Sequence, residues 1–149
     1  MKTIIVDSNV IAKIFVEEED SQQAVNFFRS CLAKGFQVQA PDLLKYEIAQ
    51  ITLRKKLSMN EVMVFFEDHI SVLVELTSPD HSVWQEAEKI CQYGHIKSGF
   101  PTMYDSIYHA MAIINKGVFV TADRRHFEKA KSFGHICLLK GWEDFVEKP

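Results

Sequence analysis

Four acidic residues stand where carboxylates can do chemistry: Asp7, Glu47, Asp105 and Asp123. Asp7 ends the run Thr3-Ile4-Ile5-Val6, whose consecutive β-branched residues suit a strand covered on both faces of a parallel sheet. Val10, Ile11, Ile14 and Phe15 follow at helical spacing. Asp7 therefore falls at the carboxyl end of a strand and the mouth of a helix, the edge where open α/β sheets bind ligands. Asp123 repeats that position after Gly117-Val118-Phe119-Val120-Thr121. Glu47 lies inside the helix that opens at Pro41-Asp42, and Asp105 lies in the first turn of a helix started by Thr102. Each acid also has a plainer reading. Asp7 and Asp123 are favoured helix caps, Thr102-Met103-Tyr104-Asp105 fits a capping box, and Glu47 alone reads as part of a solvated helix face.

Together the acids say more than they do singly. Right-handed crossovers bring every strand-to-helix junction of a parallel sheet to one edge, which makes Asp7, Asp123 and the start of the Glu47 helix neighbours. Two carboxylates ~4 Å apart repel by about 4 kcal/mol at an effective dielectric near 20. Such a cluster protonates or spreads unless a cation sits among the oxygens. Oxygen-only ligation points to Mg²⁺, with Mn²⁺ also suited, since such ions keep several waters and bind a few carboxylates plus substrate phosphate. The ion would lower the pKa of a bound water and neutralise charge developing on a phosphodiester. On this reading Asp7 and Asp105 hold the ion and Asp123 ligates it directly or through water. Glu47 stands behind the ligands or orients the attacking water.

The elements that must position these groups alternate. After the first strand and helix, Asp20 or Ser21 caps a helix with Ala24, Val25, Phe28, Cys31 and Leu32 on its apolar face. Further strands are expected at 36–40, 72–76, 117–121 and 135–139. Helices between them start at Pro41-Asp42, at the capping box Ser58-Met59-Asn60-Glu61, at Ser78-Pro79-Asp80 and at Thr102. Leu43, Leu44, Ile48, Ile51 and Leu53 form the apolar side of the Glu47 helix. The segment 92–101, with Gly94 and Gly99, reads as the mobile loop. Strand–helix alternation means a parallel sheet of four or five strands with helices on both faces, a three-layer α/β/α fold. The 149 residues read as one domain, residues 1–149, without repeat or linker.

Composition narrows the classes. A formal net charge of −3 supplies no global field for nucleic acid or membrane, so a polyanion needs a local patch. Candidates are Arg54-Lys55-Lys56, Lys97 and Arg124-Arg125; all read first as solvated surface, except Arg124 and Arg125, which follow a proposed ligand directly. Cys31, Cys91 and Cys137 are scattered and odd in number, which argues against a disulfide framework or zinc knuckle. No run reaches the ~18 apolar residues of a membrane span, and a cytoplasmic, reduced protein is expected.

The segments IIVDSNVIAK, PDLLKYEIAQ, MYDSIYHAMA and FVTADRRHF resemble, in order, the four acidic motifs of PIN-domain ribonucleases. The small VapC-type toxins of toxin–antitoxin pairs are similar in size, and the resemblance covers nearly the whole chain. It implies a PIN-like sheet flanked by helices, Mg²⁺-dependent endoribonuclease activity on single-stranded or structured RNA, a protein antitoxin and a homodimer. It also implies that Asp7, Glu47, Asp105 and Asp123 form the site, that Thr121 orients the last acid by a hydrogen bond, and that Ser8 does the same near Asp7. Some members carry a further acid after the last motif aspartate. Arg124, Arg125 and His126 stand there in this chain, which speaks against a second tightly held ion and for phosphate contact by Arg124 and Arg125.

Other uses of such an edge fit less well. A phosphoryl-accepting receiver needs a second acid beside Asp7, where Ser8 stands, and an aspartate ending the third strand, where Leu76-Thr77 stand. An Asp-x-Asp phosphatase needs a second Asp where Asn9 stands. A catalytically degenerate PIN-like module that works by binding protein or RNA is the alternative of another class.

Overall fold

The computed structural model describes residues 2–94, 96–97 and 99–146. Five parallel strands form one sheet in the order β3-β2-β1-β4-β5: β1 Thr3–Val6, β2 Gln37–Pro41, β3 Glu75–Thr77, β4 Val118–Thr121 and β5 Ile136–Leu138. The central pairing sets Ile4 against Val38 and Val118, and Val6 against Val120. Ile4, Ile5 and Val6 are wholly buried, as their β-branched run requires of a strand covered on both faces.

The helices are α1 Ser8–Phe15, α2 Ser21–Ala33, α3 Leu43–Arg54, α4 Met59–Phe65, α5 Ser71–Leu73, α6 His81–Gln92, α7 Met103–Ile114, α8 Arg124–Ala130 and α9 Trp142–Val146. α6 packs on α7, which lies against β1, β2 and β4, while α1 packs on α2 and α3, and α2 on α9. This is a three-layer α/β/α arrangement, as expected. The crossovers bring the carboxyl ends of β1, β2 and β4 to the same edge, and α1, α3, α7 and α8 all start there.

Three local expectations need correction. The strand foreseen at 72–76 is only Glu75–Thr77; a π-helical segment at Phe66–Ile70 and α5 occupy the residues before it. Phe66, Ile70 and Val74 are buried at spacings of four, and this helical period overrides the alternation of Val72, Val74 and Leu76. On α2 the core face carries Phe27, fully buried, whereas Leu32 is 58% exposed. Leu53 likewise points outward from α3, its place on the core stripe taken by Thr52. The expected mobile loop falls partly on His95 and Ser98, outside the described residues.

Candidate active site

Asp7, Glu47, Asp105 and Asp123 line one open cleft of ≈ 240 Å³ at the carboxyl edge, together with Ser8, Asn9, Gln50, Ile51 and Arg54. Four separate segments supply the acids. Asp7 follows β1 and is the N-cap residue of α1, yet its carboxylate makes no cap bond. Instead Oδ2 accepts a 2.6 Å hydrogen bond from the Thr121 hydroxyl and a 3.3 Å one from Asn9 Nδ2, while Ser8 Oγ lies 3.4 Å from Oδ1. Asp123 does cap α8, with Oδ1 accepting from the Arg125 and His126 amides at 2.9 and 3.4 Å. Thr102 caps α7 by accepting from the Asp105 amide, and its hydroxyl donates 3.1 Å to Asp105 Oδ2. Glu47 is no solvated helix face: it is half-buried, and Tyr108 of α7 donates 2.6 Å to its Oε1.

Burial and mutual repulsion set the electrostatics. Desolvation pushes the Asp7 carboxyl up to about 8 against the pull of the Thr121 hydrogen bond, and the charges of Asp105 and Glu47 push the same way. Glu47 is raised by burial, opposed by the Tyr108 bond and reinforced by Asp105. Asp105 is raised by burial and by Asp123, against Thr102 and Lys129. Among the described residues, no group of three or more His, Cys, Asp or Glu side chains is drawn together as an ion-holding cluster. Each carboxylate is tied instead to its own hydroxyl or amide partner. The donor set itself suits a hard divalent ion: the lining residues offer carboxylate, hydroxyl and amide oxygens, with no Cys or His among them, and four acids share the cleft with a single arginine.

The supporting residues differ in part from expectation. Thr121 does not direct its hydroxyl at the Asp123 carboxylate. It donates to Asp7 and accepts from the Asp123 backbone amide at 3.0 Å, so one hydroxyl links the ends of β1 and β4. Asn9 does similar work and was not foreseen: Oδ1 accepts from the Ala122 amide at 3.0 Å while Nδ2 reaches Asp7 and Thr121. Its one signal in the sequence is an amide side chain two residues after Asp7. Arg124 and Arg125 are exposed at the start of α8 and do not line the cleft; Arg54, read from sequence as solvated surface, does. His109 is a buried histidine of α7. Its Nε2 donates to the Gly134 carbonyl at 2.7 Å, and its Nδ1 lies 3.3 Å from His126 Nε2.

The sheet order and the helices around this edge make a VapC-like PIN-domain fold. The chain is similar to VapBC-1 from nontypeable Haemophilus influenzae, with a TM-score of 0.70, 9% identity, and 93% of this chain and 98% of that one covered. It is similar to DNA-bound VapBC from Salmonella typhimurium, with a TM-score of 0.65, 20% identity, and 93% and 97% covered. It is also similar to VapC20 of Mycobacterium tuberculosis, described as a sarcin–ricin-loop-cleaving toxin, with a TM-score of 0.61, 12% identity, and 76% and 84% covered. At these identities the likeness is one of fold. No protein-family model and no curated protein matches the sequence.

Proposed function

We propose that this chain is a Mg²⁺-dependent endoribonuclease, active also with Mn²⁺, that hydrolyses RNA phosphodiesters as the toxin of a toxin–antitoxin pair. One observation carries the reading: four carboxylates from separate segments share a single cleft with one arginine, and Asp7 among them is buried and held far above the usual carboxylate range. A divalent cation would relieve that arrangement and favour the ionised form of Asp7. Asp7, Asp105 and Asp123 would hold it; bound there, it supplies Lewis-acid activation of water and charge neutralisation at phosphorus. The protein's own part is positional. Thr121 and Asn9 fix the orientation of Asp7, and Thr102 fixes Asp105. Glu47, anchored at Oε1 by Tyr108, keeps Oε2 to accept a proton from the attacking water, whose oxygen bonds to phosphorus as the P–O bond to the leaving strand breaks.

The partner assignment rests on the fold. The Haemophilus and Salmonella neighbours are VapBC complexes, and a protein antitoxin and a homodimer are proposed here by that likeness. The exposed apolar residues Tyr46, Trp84, Met103 and Tyr104, around a hollow of ≈ 250 Å³ beside the acidic cleft, are suited to protein contact. No helix among the described residues is long and apolar enough to cross a membrane, and an RNA substrate fits a cytoplasmic setting.

The second reading is a PIN-like module that has lost cleavage and acts by binding. The observation in its favour is the lack of a tight carboxylate group among the described residues. Incubating purified protein with RNA, in Mg²⁺ and in chelator, separates the two. Cleavage that needs the metal and vanishes in a folded Asp7→Asn variant supports the nuclease; intact RNA in every arm supports the binding module.

A further inference from the structure

We infer that the hollow beyond Arg54 is a phosphate subsite, through which the RNA strand leaves the acidic cleft. This inference rests on the nuclease reading. A second cavity, ≈ 330 Å³, is lined by Asn9, Ala12, Lys13, Glu18, Ile51, Arg54 and Lys55, and it shares Asn9, Ile51 and Arg54 with the carboxylate cleft. The two are therefore compartments of one trough along α1 and the carboxyl end of α3. Their charges are opposite. Four acids line the first, whereas three cations and one acid line the second.

The cations are not equivalent. Lys13 is committed: its ammonium lies 2.5 Å from Glu18 Oε2 and 2.9 Å from Asp20 Oδ1, and that pairing cancels the only acid in the lining. Arg54 and Lys55 are exposed and form no ion pair among the described residues, so both remain available to an anion. Arg54 stands on the boundary between the compartments. A strand whose scissile phosphate is held over the carboxylates would place a neighbouring phosphate beside Arg54 and Lys55, where the guanidinium offers a bidentate contact. Backbone contact of this kind carries no base information, so the subsite would accept any single-stranded sequence. Arg124 and Arg125, outside both linings, would contribute less.

The test compares Arg54→Gln, Lys55→Gln and the pair Arg124→Gln/Arg125→Gln. A fluorescein-labelled single-stranded RNA serves as probe for equilibrium binding in chelator and for cleavage in Mg²⁺. Expected is an affinity loss of about tenfold for Arg54→Gln, a shallower salt dependence by about one charge, and a raised KM with kcat within about twofold. Lys55→Gln should follow more weakly, and the α8 pair should bind nearly as wild type. Arg54 ends α3, where a cation also suits the helix dipole. A lowered melting temperature with unchanged RNA affinity would make it only a cap residue and overturn the subsite, as would a larger loss from the α8 pair. Because binding is read in chelator, the subsite can be judged even if the wild type proves unable to cleave RNA.

Discussion

Thr121 serves two acids through one hydroxyl, donating to Asp7 and accepting from the Asp123 amide. Thr121→Val keeps the shape and removes the donor, and with it the contact that favours ionised Asp7. Cleavage should fall by about 10–100-fold, and the acid limb of its pH profile should move to higher pH; an unmoved limb would mean that the hydroxyl is only structural. Asp7 itself sets a stability slope in the metal-free protein. Its folded pKa, about 8, lies above the ordinary 3.8, so between those values the folded chain holds a proton that the unfolded chain has released. Stability therefore falls as pH rises through that window, by at most about 1.4 kcal/mol per pH unit. Asp7→Asn should remove this slope while abolishing cleavage, which denaturant melts at several pH values will show.

At the scale of elements, the Glu47–Tyr108 hydrogen bond joins α3 to α7, the two helices that carry acids from outside the β1–β4 centre. Tyr108→Phe preserves the stacking on Phe119, whose ring centroid is 5.6 Å away, and frees Glu47. The expected result is a drop in kcat of about tenfold with a stability loss of only about 1 kcal/mol. A different constraint holds β4 in register with β1. A Cβ on Gly117 would stand 2.3 Å from the Thr3 carbonyl oxygen, a backbone atom that cannot swing aside. Gly117→Ala should cost about 1–3 kcal/mol in urea unfolding and should lower activity by shifting Asp7 relative to Asp123.

For the whole molecule, two buried systems pull stability in opposite directions. His109 and His126 are driven below the usual 6.5, His126 to about 4, chiefly by burial. Below 6.5 the unfolded chain takes up protons that the folded pair refuses, so stability is lost as pH falls through this range. Below 6.5 the two histidines oppose the raised carboxyls of Asp7, Glu47 and Asp105; from there up to about 8 the raised Asp7 acts without that opposition. Metal-free melting temperature should thus fall as pH rises from 6.5 towards 8, and saturating Mg²⁺ or Mn²⁺ should lift that alkaline side. At a metal concentration of 100 Kd the gain would be about 2.7 kcal/mol. Metal that lifts Asp7→Asn as much as wild type would sink the assignment of Asp7 as a ligand.

Much of this was legible in the chain. The β-branched run before Asp7, its echo before Asp123, and the alternation of strand and helix were enough for a parallel sheet with acids at one edge, because chain chirality leaves a single edge for strand-to-helix junctions. Local periodicity also placed the Thr102 and Ser58 caps, which depend on residues only three apart. What the sequence could not decide were contacts between segments far apart in the chain. The Tyr108 bond to Glu47 spans 61 positions and the Thr121 bond to Asp7 spans 114. Whether Thr121 faces Asp7 or Asp123, and whether Arg54 or Arg124 reaches the cleft, depends on where whole helices dock on the sheet. That docking is set by packing of the complete core, not by any short window of residues.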